Sequence, residues 1–278
     1  MTKSMEKENV EKRSKAPILE LSHVEIRYQG TPVVHDFSLQ MQPGEILGIV
    51  GESGSGKSTV IKAAMGLLGK QATVTRGDIF YKGQNVVDAK GETLRSLRGP
   101  EMGMVFQNTG ASLCPIRSIE DQVYESVTQH EKVSRDEVRD RALELFQKMN
   151  LPDGERILKS YPFELSGGMN QRVGIMMAMI LKPDLLFADE PTSALDVTVQ
   201  KQVVEEMMQM RKVFGTGIVI VTHNIGVVEH MADKVAVMHQ GKLVEYGTVE
   251  EVIHNPKEAY TQKLIRSVLR IKRAYNRK

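Results

Sequence analysis

Gly51-Glu52-Ser53-Gly54-Ser55-Gly56-Lys57-Ser58-Thr59 follows the apolar run Ile46-Leu47-Gly48-Ile49-Val50 and opens a helix-type stretch from Lys57 to Leu68 that ends at Gly69. The quoted residues fit the pattern G-x-x-x-x-G-K-[ST], and a strand before it with a helix after it is the context that its mechanism requires. Glycines reach backbone conformations with positive φ. Successive N–H groups can therefore converge on phosphate oxygens at a helix N-terminus, where the dipole favours negative charge. Gly51, Ser53, Gly54 and Gly56 are expected to form the cradle, Lys57 to reach the β- and γ-phosphates of ATP, Ser58 to place its hydroxyl on Mg2+, and Thr59 to touch the α-phosphate side. The apolar run before the loop suits a strand covered on both faces.

Working outward, Leu19 to Tyr28 alternates like a half-buried strand, and Gln29-Gly30-Thr31-Pro32 reads as a turn into a second strand near Val33 to Met41. After the loop, Ser134 and Glu137 form a capping box ahead of Val138, Ala142, Leu145 and Phe146, within a helical insert expected over about 90–175. Strand signals return at 185–188, 218–221 and 235–238, separated by helix-type stretches, which is the rhythm of a parallel sheet with crossover helices. The fold class expected is α/β, a P-loop NTPase with a parallel-sheet core, an antiparallel β subdomain and a helical insert. In Leu185-Leu186-Phe187-Ala188-Asp189-Glu190 an apolar strand delivers two carboxylates at its C-terminal end, where α/β sheets gather their ligands. Asp189 suits the Mg2+ shell, and Glu190 suits the orientation of a water attacking the γ-phosphate, because phosphoryl transfer needs positioning and charge stabilisation above all.

Composition narrows the classes. Of 278 residues, 41% are hydrophobic and 26% charged, the balance of an ordinary globular chain and not of a disordered or fibrous one. The longest apolar stretch, Val173 to Leu181, is far short of the roughly 20 residues that cross a bilayer. The first 16 residues are charged and aperiodic, so a loose arm without a signal peptide is expected there, and the lone Cys114 cannot form an internal disulfide. Seven of the 37 Lys and Arg lie between Lys263 and Lys278, a stretch without acids, which leaves 30 bases against 35 acids in the body. Such a body has no basic field for nucleic acid, and none is expected as a partner, although the basic tail at 263–278 could touch a phosphate-rich or membrane surface. The boundaries expected are an arm at 1–16, a nucleotide-binding domain at 17–262 and the tail.

Three further segments carry a resemblance. Leu165-Ser166-Gly167-Gly168-Met169-Asn170-Gln171-Arg172 resembles the signature of ATP-binding cassette (ABC) proteins, Ser193-Ala194-Leu195-Asp196 resembles their D-loop, and His223 and Gln107 stand where the switch histidine and the Q-loop glutamine fall. Tyr28 stands where the family's adenine-stacking aromatic lies. The resemblance runs from about residue 18 to about 265. It implies that Glu190, His223 and Gln107 serve hydrolysis, with Gln107 also near Mg2+. It further implies that two such subunits, identical or different, pair head to tail so that Ser166 and Gly168 of one meet the γ-phosphate held by Lys57 of the other.

The wording of the phosphate loop, Met169, and Asn255-Pro256-Lys257-Glu258-Ala259-Tyr260-Thr261 are similar to the branch that imports peptides or nickel. That resemblance implies a peripheral subunit on the cytoplasmic face of the cell membrane, bound to integral-membrane permease subunits and served indirectly by an extracytoplasmic solute-binding protein. Cys114 alone cannot build the cysteine cluster of longer branch members, and residues 108–115 depart from the branch's usual loop. The competing expectation is a soluble ABC ATPase acting on DNA or ribosomes, a class that generally carries a second cassette or a long coiled-coil insertion.

Overall fold

The computed structural model describes residues 16–193 and 195–275, so the arm expected at 1–16 lies almost wholly outside the described residues. Two sheets organise the chain. The first is antiparallel, with β1 (Leu19–Tyr28) between β2 (Thr31–Met41) and β4 (Ala72–Tyr81), and β5 (Gln84–Asn85) at its edge. The second has the order β10-β9-β3-β8-β7-β6, from β3 (Ile46–Val50), β6 (Met102–Val105), β7 (Leu185–Asp189), β8 (Gly217–Val221), β9 (Lys234–His239) and β10 (Lys242–Thr248). Only β10 runs antiparallel to its neighbour there.

Every residue of β3, β7 and β8 is buried, which is why these segments read as unbroken apolar runs in place of alternating ones. The period of two then divides their side chains between two cores. Leu47, Ile49, Phe187 and Val219 join the antiparallel sheet and helix α1 (Lys57–Ala64) in one cluster. Ile46, Leu186, Ala188, Ile218 and Ile220 point the other way. There they pack on α4 (Ile119–Thr128), α5 (Arg135–Lys148), α7 (Gly167–Met179) and α8 (Val197–Phe214). The remaining helices are α2 (Gly91–Leu97), α3 (Thr109–Ser112), α6 (Gly154–Lys159), α9 (Ile225–Met231) and α10 (Ala259–Tyr275). The Ser134–Glu137 capping box opens α5 as expected.

Three boundaries differ from the sequence reading. Helix α1 stops at Ala64, short of Leu68, because Gly66 takes φ +62° and the Leu67 N–H turns back onto Lys62 O at 2.7 Å, a glycine-made stop at Gly66 that Gly69 does not supply. The span 90–175 contains β6, a strand of the main sheet paired with β7, so the insert's helices follow β6. The boundary at 263 falls inside α10, which carries the basic residues on from Ala259 without a break. Strands β4 and β10 carried no signal that the sequence reading used.

The helices of the insert are fastened to the core by a buried ion pair. Arg172 on α7 meets the Glu206 carboxylate on α8, and its Nη2 donates to Met149 O at the end of α5 at 3.1 Å. Burial pushes the Glu206 carboxyl up from its ordinary value, and Arg172 opposes that shift. Removing one partner of such a pair leaves an uncompensated charge. Arg172→Ala is expected to lose about 3–5 kcal/mol of stability in urea unfolding near neutral pH. With the folded-state carboxyl raised above its unfolded value, the ionised form opposes folding, so the deficit should narrow as the pH falls and Glu206 protonates. A deficit that is independent of pH would assign the loss to packing alone.

Candidate functional site

The order β3-β8-β7 places three strand ends side by side, and the site is assembled on the loops that leave them. The phosphate loop joins β3 to α1. Its first residue, Gly51, has φ +153°, and a Cβ there would stand 2.1 Å from Met238 O, so the loop lies directly on the end of β9. Farther along, Ser55 O accepts the Gly241 N–H at 3.1 Å. Lys57 begins α1 and is 6% exposed; its Nζ donates to Gly51 O at 2.9 Å and Glu52 O at 2.8 Å. Burial lowers the ammonium's pKa, while the Glu190 and Asp189 carboxylates act to hold the proton on.

Ser58 Oγ donates to Asp189 Oδ1 at 2.7 Å, which joins the start of α1 to the end of β7. Asp189 is 5% exposed and Glu190 comes next, with φ +48°. That is a left-handed conformation a glutamate rarely adopts, here held by its N–H on Val221 O at 2.8 Å. The turn carries the carboxylate off the strand toward the end of β8, where its side chain is 12% exposed. Its Oε1 lies 2.9 Å from His223 Nδ1, just past β8, and the Thr222 hydroxyl faces Oε2 at 3.5 Å.

A cleft of about 600 Å³ opens over these groups. It brings together Ser53, Gly54, Gly56, Lys57, Ser58 and Thr59 from the loop with Gln107, Glu190 and His223. Gly51 and Asp189 support it from behind. Tyr28 is not among its lining residues; it ends β1 opposite Thr31 and is 41% exposed. Val33, which the sequence reading passed over, lines the wall on that side, and no sequence pattern distinguishes it from any other strand valine. Ser166 and Gly168 also lie away from the cleft, on α7. Ser166 caps that helix by accepting the Met169 N–H at 3.2 Å and is itself exposed, while Gly168 faces Val199 of α8. In the D-loop segment, Asp196 caps α8 through the Thr198 and Val199 N–H groups, both at 3.0 Å.

Ser58 and Asp189 offer adjacent hard oxygen donors, as Mg2+ requires, whereas no group of three or more His, Cys, Asp or Glu among the described residues could hold a metal by itself. A second cavity of about 360 Å³, between β6 and α7, is apolar, lined by Met102, Met104, Phe106 and Met177, and contains none of the phosphate loop.

A phosphate loop, a carboxylate pair at the end of a strand one removed in the same sheet and a histidine facing one of them define a nucleotide-hydrolysing cassette. Residues 34–193 match the family model described as ABC transporter. The chain is 41% identical over 256 residues to the dipeptide transport ATP-binding protein DppD of Lactococcus lactis subsp. cremoris, covering 90% of this chain and 73% of that protein. To the oligopeptide transport ATP-binding protein AmiE of Streptococcus pneumoniae it is 38% identical, covering 88% and 69%. Among solved structures it is similar to a dimeric post-hydrolysis state of the ATP-binding cassette MJ0796 bound to ADP and Pi. There the TM-score is 0.73 at 26% identity, over 83% of this chain and 98% of that one. For cbiO1 of Clostridium perfringens, part of the transporter complex cbiONQ, the TM-score is 0.76 at 27% identity, over 94% and 98%. This protein belongs to the ABC transporter family. It is an ATPase that binds ATP.

The lowered pKa of Lys57 means that burying its charged form opposes folding near neutral pH. Lys57→Met keeps the volume and removes that cost. It is expected to leave the melting temperature unchanged or higher while weakening ATP binding about 10- to 100-fold, the range of a charge-assisted hydrogen bond. Thermal unfolding and calorimetric titration of the same sample check the two halves; a variant that melts early would show the ammonium to be structural.

Proposed function

We propose that this chain is the ATP-hydrolysing subunit of an importer of peptides, and that the residues of the cleft divide the work as follows. The loop N–H groups and Lys57 hold the β- and γ-phosphates, and Thr59 faces the α-phosphate. Ser58 and Asp189, with Gln107 beside them, would hold Mg2+, which neutralises phosphate charge when bound. Glu190 orients and polarises the attacking water, and His223 keeps that carboxylate aligned through the contact at 2.9 Å. Tyr28, exposed at the end of β1 on the side of the cleft marked by Val33, offers its ring to the adenine. The observation that carries this reading is the convergence of Lys57, Ser58, Glu190 and His223 on one cleft from three strand ends.

The assignment to peptide uptake rests on relatives whose names state dipeptide and oligopeptide transport, at about 40% identity across most of both chains. The metal-chelate half of the sequence-based expectation draws no support from those names. No helix among the described residues is long and apolar enough to cross a membrane. The transport named for the relatives supports integral-membrane permease subunits as partners. The apolar cavity that Phe106 lines, one residue before Gln107, supports a permease helix docking beside the insert. This chain would sit peripherally at the cytoplasmic face of the membrane, and an extracytoplasmic solute-binding protein would act on it only through the permease. The soluble alternative acting on DNA or ribosomes finds no supporting feature in the structure.

Glu190→Gln should keep ATP affinity and lose turnover on the order of 10²-fold or more, the contribution of a positioned general base. Hydrolysis at the parental rate would remove Glu190 from that role.

Ser166 and Gly168 lie outside the cleft of their own chain, which supports a site completed by a second copy or a related subunit; the similar MJ0796 cassette is dimeric. Specific ATPase activity of the isolated chain should then rise with protein concentration and reach a plateau. Ser166→Arg should abolish that activity and spare ATP binding, because a bulky cation on the N-terminus of α7 keeps the partner's γ-phosphate away. Activity that is independent of concentration in a demonstrably monomeric sample would overturn the shared site.

A further inference from the structure

Gln107 lines the cleft, yet the short helix α3 that follows it packs on α7, whose N-terminus is capped by Ser166. Gly174 sits midway along α7, an interior position where glycine is the weakest helix former after proline and alanine is the best. The contact with α3 accounts for it. A Cβ at Gly174 would stand 2.3 Å from Thr109 Cγ2 and 2.9 Å from Thr109 Oγ1, so the threonine methyl already occupies the place that any other side chain would need. Thr109 is 5% exposed there.

The other arm of the same side chain reaches back toward the cleft. Thr109 Oγ1 donates to Phe106 O at 3.3 Å, and that carbonyl belongs to the residue directly before Gln107. The Asn108 side chain accepts the Ala111 N–H at 3.1 Å and closes the turn. One residue farther along, Gly110 lies against Asn170 of α7. Asn170 Nδ2 in turn donates to Pro162 O at 2.9 Å, which holds the segment leading into that helix. Residues 108–115 are those that depart from the branch's usual loop, and their departure includes the threonine that fits the notch.

We infer that Thr109 is a positioning residue: seated in the notch at Gly174 and bonded to Phe106 O, it fixes Gln107 in the cleft relative to the outward N-terminus of α7. Ser166 lies roughly two turns before Gly174 on the same helix. Gln107, which faces the chain's own nucleotide, and Ser166, which faces the partner's, are thereby held as one body. A displacement of α7 reaches Gln107 through a packed methyl and one hydrogen bond, because close-packed interiors transmit strain. The inference rests on the reading of the cleft as the hydrolytic site.

Gly174→Ala in the full chain supplies the better helix former and drives its Cβ onto the Thr109 methyl. Turnover at the plateau of protein concentration is expected to fall on the order of 10-fold, as for a misplaced catalytic group, while the dissociation constant of ATP stays parental. Amide hydrogen exchange of peptides spanning 106–113 should accelerate about 3- to 10-fold, with the amides of β7 and β8 unchanged. In Gly174→Ala combined with Thr109→Ser the methyl has crossed from one helix to the other, and only the serine hydroxyl and its carbon must give way slightly. Turnover and exchange should then return most of the way to the parent. Parental turnover and exchange in Gly174→Ala would overturn the proposal, as would a double variant no better than the single one, which marks a merely structural role. If Gly174→Ala does not fold, Thr109→Val decides, since it keeps the methyl and deletes the bond to Phe106 O: the same loss of turnover at parental affinity is expected, and parental turnover overturns the positioning role. Gln107→Ala measured alongside keeps the two claims apart. Hydrolysis at the parental rate there would remove Gln107 from the catalytic reading, while the exchange of 106–113 in Gly174→Ala still decides whether the notch holds that segment.

Discussion

A hydrogen bond of 2.7 Å from Ser58 Oγ to Asp189 Oδ1 joins two elements 131 residues apart in sequence, and the rest of the site depends on the constraint it expresses. Ser58 starts α1 after the loop that leaves β3, Asp189 ends β7, and those two strands are not neighbours. Strand β8 lies between β3 and β7, and the bond forms only because all three run parallel and end at the same level. Parallel order is itself dictated by burial on both faces, since one face of these strands packs on the antiparallel sheet and α1 and the other on the helices of the insert. Loss of either cover would expose an apolar sheet and separate the hydroxyl from the carboxylate.

Asp189 and Glu190 are adjacent, yet they meet different partners because the backbone turns sharply between them. Asp189 completes a strand and is almost wholly enclosed, where a carboxylate needs a donor such as Ser58. Glu190 adopts a strained left-handed conformation and delivers its carboxylate to His223. Strain at such a position persists when the surroundings over-determine it, and the N–H bond to Val221 together with the contacts of both carboxylate oxygens does so. The turn thus separates two successive carboxylates, one bonded to Ser58 and the other to His223.

Ser166 combines a helix cap with an exposed position. Its hydroxyl caps α7, and the same helix N-terminus faces outward with N–H groups and a positive dipole end. Arg172, two turns along, ties that helix to α8 through Glu206, so the orientation of the outward end is set by a buried ion pair. A motif recognisable by its glycines thus depends for its aim on a charge pair that does not resemble a ligand site.

Much of this was legible in the sequence, and for a definite reason. The phosphate loop, the acidic strand end and the capping box at Ser134 are local: each consists of consecutive residues whose spacing already encodes the geometry they adopt, so Lys57, Ser58, Asp189 and Glu190 could be named with their places on elements. Helix ends and sheet membership were less readable. Gly66 and Gly69 are equally good stops on paper, and only the bond from Leu67 to Lys62 selects between them. Strand β4 pairs with β1 from afar, whereas β10 folds back on β9 across Gln240-Gly241, and both carry weak alternation. Val33 in the cleft wall and the Arg172–Glu206 pair have no sequence signature at all. The sequence by itself determined which chemical groups are present and which of them lie on strand ends and helix starts. Only the tertiary structure decided which of those groups meet, because the strand order that brings them together is set by the burial of two opposite faces and not by any residue's neighbours along the chain.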